Sequence, residues 1–92
     1  MGQPRSVSNT SPITVTGLTA ATCVKVGGGW VHSAAVTLTG PCNLNDAATA
    51  AGAATANLIA VLPTGTNVYQ ISMKFNNGLV VTPTGSASVT FE

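Results

Sequence analysis

Charged side chains are almost missing from this chain of 92 residues: Arg5, Lys25, Asp46, Lys74 and Glu92 make up 5% of it. An ordinary soluble domain carries about 25%. With a net charge of +1, the chain lacks the mixed, charged surface that keeps free monomers apart. Its composition therefore predicts a surface that meets other protein, either further copies of itself (a dimer or trimer) or a larger assembly.

Other scarcities narrow the function. Lys25 and Lys74 are the only cations in the body of the chain, too few to neutralise a run of phosphates, so no nucleic-acid partner is expected. No apolar run approaches the roughly 18 residues of a membrane span, and the first dozen residues lack the apolar stretch of a secretory signal. Neither membrane nor secretion is expected. Two acids, one of them the last residue, leave little for general acid–base chemistry. His32 and Asp46 could be joined with a serine into a triad, but single residues without spacing are weak grounds, and no enzyme is expected. Aromatics are 4% of the chain, which argues against a carbohydrate-binding face. Cys23, His32, Cys42 and Asp46 lack the paired spacing of structural zinc sites, and Gly27-Gly28-Gly29 is followed by neither a helix nor a Lys-Thr pair. No cofactor or metal is predicted.

Cys23 and Cys42 are expected as reduced thiols acting as small hydrophobes, with a disulfide open only if their strands are neighbours.

What is present is β grammar. Residues 1–12 are polar and carry Pro4 and Pro12, and they read as a flexible arm that orders against a partner. Two address-like matches in it, Met1-Gly2 with Ser6 and Asn9-Thr10-Ser11, are undercut by the prolines beside them. Residues 13–92 read as one β-sandwich domain. Ile13 and Val15 alternate with threonines, and Val24 and Val26 flank Lys25. Trp30, Ala34, Val36 and Leu38 share one parity, and Tyr69, Ile71, Met73 and Phe75 another. Residues 47–56, rich in Ala, Thr and Gly, read as a tight-packed or mobile loop. Pro63-Thr64-Gly65 and Pro83-Thr84-Gly85 are turns, and Asn76-Asn77-Gly78 reads as a hairpin with Gly78 at positive φ. The predicted turn glycines are thus Gly65, Gly78 and Gly85.

About eight short strands with turns at regular spacing predict an all-β fold, a single antiparallel β-sandwich or jelly roll with a flexible N-terminal arm. The expected core is Val15, Val24, Val26, Val36, Leu38, Leu58, Ile71, Met73, Leu79, Val81, Val89 and Phe91. The candidate interface residues are Trp30, His32 and, in the arm, Arg5. Trp30 follows three glycines and can anchor a contact; Asp46, before a loop, reads as a cap.

From Val24 onward the chain resembles a diffuse group of small bacteriophage virion proteins. The resemblance is carried by VKVGGGWVHSAAVT (24–37), NLND (43–46), the Ala/Thr/Gly loop (47–56), NLIAVLP (57–63), the stretch into F-x-x-G-L-V-V (75–81) and TGSASVTFE (84–92). The pair Cys23 and Cys42 departs from that group. The resemblance implies a non-enzymatic accessory protein of the head or tail. The expected role is a capsid decoration, or cement, protein that binds the major capsid protein or other virion proteins, assembled in the host cytoplasm and located in the virion. Alternatives are a tail, baseplate or head-fibre component with a host-binding face, and a secreted adhesin or pilin-like domain.

Overall fold

The computed structural model describes residues 12–92. Its strands are β1 (Ile13–Leu18), β2 (Thr22–Val26), β3 (Gly29–Leu38), β4 (Cys42–Asp46), β5 (Leu58–Leu62), β6 (Gly65–Phe75), β7 (Gly78–Thr82) and β8 (Gly85–Phe91). Two single 3-10 turns, Ala50–Gly52 and Thr55–Asn57, lie between β4 and β5. The expected arm falls outside the described residues except for Pro12.

Pairing runs inward from the two ends of the chain. β1 pairs with β8, β2 with β7, β3 with β6 and β4 with β5, all antiparallel, so the chain forms one long nested hairpin. Rolling that hairpin brings β3 against β8 and β4 against β7. The result is two four-stranded sheets, ordered β1-β8-β3-β6 and β2-β7-β4-β5. This is the strand order of an eight-stranded jelly roll. The all-β reading holds, and of its two architectures the chain adopts this one.

Every connection except the one between β4 and β5 changes sheet. The segment Asn76-Asn77-Gly78 is therefore a crossover and not the expected hairpin: β6 pairs with β3, while β7 pairs with β2 and β4. Gly78 is also not at positive φ. Glycine is required there for room, because a Cβ would collide with the Ala47 carbonyl and lie 2.7 Å from that of Lys25. Gly65 and Gly85 do sit at positive φ, 130° and 121°. Each begins a strand paired with Leu38, one on either side of β3, so the two Pro-Thr-Gly turns make equivalent crossings into the same sheet.

The core lies between the sheets. Phe75, Leu44, Leu79, Val31, Val81 and Val89 are its largest fully buried side chains. Each contributes on the order of 1.5–3 kcal/mol by leaving water. Val36, Leu38 and Phe91 are buried as expected, and Val15, Val24 and Ile71 pack against the cluster from its margin. Three expected core residues are instead exposed: Val26 (72%), Leu58 (39%) and Met73 (39%). All three lie on edge strands, where among the described residues one flank has no strand beside it.

A bulge explains why Val31, absent from the expected core, is buried. The register slips between Val31 and Ser33 in both ladders of β3. A one-residue slip changes which face a side chain occupies. Val31 is therefore buried with Ala34, Val36 and Leu38, while Trp30, assigned their parity, stays half exposed.

The loop after β4 is largely exposed but hydrogen-bonded back to the sheet. Asn45 is buried, and its side-chain amide donates to the Ala54 carbonyl and to Asn57 Oδ1, both at 2.9 Å. Asn57 in turn accepts from the Ala54 N–H and donates to the Gly52 carbonyl. From β2, the Cys23 thiol reaches the Ala48 carbonyl at 3.4 Å. The loop is thereby tied back to β2 and β4, and Val80, the ladder partner of both Cys23 and Asn45, is fully buried.

Candidate interaction surface

Trp30 begins the outward display of β3, and its neighbours bring unusual chemistry for this chain. On one side its ladder partner is Lys74 of β6. On the other it exchanges both backbone hydrogen bonds with Glu92, each 2.9 Å. The Glu92 carboxylate lies 3.1 Å from His32 Nε2. Of the four charged residues among those described, Lys74 and Glu92 thus flank the one tryptophan.

The glycines before Trp30 make this possible. At Gly29 a Cβ would collide with the Glu92 carbonyl and sit 2.9 Å from the Phe75 ring. The missing side chain lets the strand end lie flat on buried Phe75, and the next residue stands on the other face. Trp30 keeps 46% of its surface exposed. A large, rigid aromatic at low entropic cost is the residue type most often found at the energetic centre of an interface.

His32 and Glu92 are close without a hydrogen bond: among the described residues Nε2 has no bonded partner, and it is buried. The 3.1 Å separation is therefore a proximity and not a hydrogen bond. The structure brings two of the three expected interface residues, Trp30 and His32, to one end of one sheet. Arg5 lies outside the described residues. β1 starts at this same end, with Ile13 opposite Phe91.

Lys74 and Glu92 join Trp30 only in the folded chain. Nothing in their local context marks them, because they reach Trp30 only through pairings of β3 with β6 and of Trp30 with the last residue.

The rest of this sheet's outer surface is small and neutral. Val68, Ala35 and Ser88 form one cross-strand row, and Thr66, Thr37 and Ser86 the next. These rows line a shallow depression of about 460 Å³. Beside them the Thr14 and Thr90 hydroxyls bond at 2.8 Å.

The other residues singled out by type are held apart. Asp46 does cap backbone N–H groups, but those of a distant turn and not of the loop that follows it: its carboxylate accepts the N–H groups of Asn76, Asn77 and Gly78. Burial works to raise its pKa, but the three backbone donors outweigh that and hold it below the ordinary carboxylate value. Asp46 is thus bound to a turn, away from His32 in the opposite sheet. Cys23 and Cys42 are both free. Their strands are separated by β7, roughly 9–10 Å across at normal strand spacing, beyond the reach of a disulfide. Among the described residues no three of His, Cys, Asp and Glu come together.

Comparison with protein-family models, with curated proteins and with solved structures yields no match.

Proposed function

We propose that this protein is a non-enzymatic structural subunit of a phage virion, a decoration protein that binds the outer surface of the head through the Trp30 end. The observation that carries the reading is an exposed tryptophan, flanked by one cation and one anion, on a small jelly roll with almost no other charge. Such a surface has little to oppose close association, and Trp30 supplies an anchor around which a contact can be desolvated. The resemblance of residues 24–92 to small virion proteins supports the same reading. Jelly rolls serve in viral capsids and in lectins alike, so the fold is compatible with the role without assigning it.

The test is to add purified protein to particles lacking it and to count bound copies, with the labelled protein located by microscopy. Wild-type protein is expected to cover the shell, and Trp30→Ala to lower occupancy at least tenfold while leaving the melting temperature nearly unchanged. Deleting residues 2–11 is expected to lower occupancy as well, through loss of a polar segment that can order against a partner. Label at one vertex or on the tail would replace the head reading with a tail or head-fibre component, and full occupancy by Trp30→Ala would remove this end from the contact.

A further inference from the structure

β6 is an edge strand of 11 residues, paired among the described residues with β3 alone. Edges of this kind are normally blunted by charges, prolines or bulges. From Gly65 to Ile71, β6 has neither charge nor proline. Val68, in the middle of that stretch, is 63% exposed. Its N–H is not spent on β3 but is accepted by the side chain of the preceding residue, Asn67, at 2.8 Å. That donor consequently lies along the free edge, and antiparallel alternation puts those of Thr66 and Gln70 there too. The regular stretch ends at Ser72, whose φ of 53° marks the bulge.

We propose that this edge joins two copies of the chain, β6 pairing antiparallel with β6 of a second copy about a two-fold axis at Val68. Antiparallel pairing about a dyad is self-complementary, because each strand offers the same donors and acceptors in reversed order. Val68 meets Val68 of the second copy as a hydrogen-bonded pair, and Thr66 meets Gln70 on either side. The two four-stranded sheets become one sheet of eight strands. Asn67, which holds the Val68 N–H in the single chain, gives it up to a carbonyl of the second copy. Lys74, the one charge on β6, falls beyond the paired stretch. The two lysines end about 40 Å apart at the rise of a β-strand, so like charges do not oppose the contact. A heterologous strand could use the same edge, but only a second copy is matched to it by symmetry. The proposal goes beyond the virion reading and stands without it, since it concerns the isolated protein.

Sedimentation of the full chain over a concentration series tests it. The wild type is expected to pass from monomer to dimer, and Val68→Lys, which sets like charges face to face, to weaken association at least tenfold. Mixing Val68→Lys with Val68→Glu is expected to restore a dimer containing one of each. Circular dichroism confirms that both variants fold, and the exposed site favours that. Independently, amide exchange of the wild type should slow at Thr66, Val68 and Gln70 on dimerisation. A wild type that stays monomeric at millimolar concentration, or a Val68→Lys variant that associates like wild type, overturns the proposal. So does exchange at those three amides that is unaffected by association. Loss of particle binding with the dimer intact would count against the virion reading alone.

Discussion

Asp46, the last residue of β4, accepts the backbone N–H of Asn77 at 2.7 Å, 31 positions away in the chain. With the Asn76 and Gly78 bonds, the contact ties the end of one sheet to the crossover arriving from the other. Its consequence is a pH-dependent stability. The folded carboxyl has a lowered pKa, so its contribution is fully present above the unfolded value near 4 and is lost as pH falls through the folded value. Asp46→Asn is expected to cost about 1 kcal/mol at pH 7, discounted for the partial exposure of the group. The gap between variant and wild type should close toward pH 2. Melting temperatures measured from pH 2 to 7 check this, and a constant gap would remove the carboxylate charge from the effect.

Gly78 and Gly65 should fail for different reasons. Alanine or valine at 78 meets two carbonyls, and overpacking of that kind costs roughly 1–3 kcal/mol. Alanine at 65 has no neighbour within 4 Å but inherits a φ of 130°, with a strain cost on the order of 1 kcal/mol. Thermal unfolding should therefore show Gly78→Val as the more damaging change and Gly65→Ala as the milder one, each with the same fold.

The buried amide of Asn45 holds the loop that closes over the second sheet. Asn45→Leu fills a similar volume but leaves the Ala54 carbonyl without its side-chain donor and Asn57 Oδ1 with only the Ala54 N–H, a loss of about 1–3 kcal/mol. Amide exchange is expected to accelerate over residues 50–57 well before it does in β7. Uniform acceleration would mean that the loop and the sheet open together.

The two thiols should separate in reactivity. Burial raises the Cys42 pKa from 9.0 to about 11, and its side chain is inaccessible, whereas Cys23 is only half-buried. A thiol reagent at pH 8 should label Cys23 in the native protein and Cys42 only after unfolding, because the thiolate is the reacting species. Mass spectrometry of the labelled chain distinguishes the two; simultaneous labelling would place Cys42 outside the core.

Local pattern and global pairing contributed differently here. Alternating Val, Ile and Thr, broken by Pro-Thr-Gly and triple-glycine turns, was enough to specify strands, their number and an all-β domain. Each of those signals acts within a few residues, through backbone sterics and the two-residue repeat of a strand. Trp30 could be chosen for its type alone, and so could Asp46 as a cap. Which strands pair was beyond such signals, since six-residue β1 finds its partner in β8 at the far end of the chain. The bulge between Val31 and Ser33, which leaves Trp30 outward, is equally nonlocal, arising from how β3 fits β6 and β8 together. Gly78 shows the same division: its sequence context suggests a positive φ, while its real constraint is the approach of Ala47 and Lys25 from other strands. Backbone conformation is dictated by neighbours in sequence, but the space left for a side chain, and the company it keeps, is dictated by neighbours in the fold.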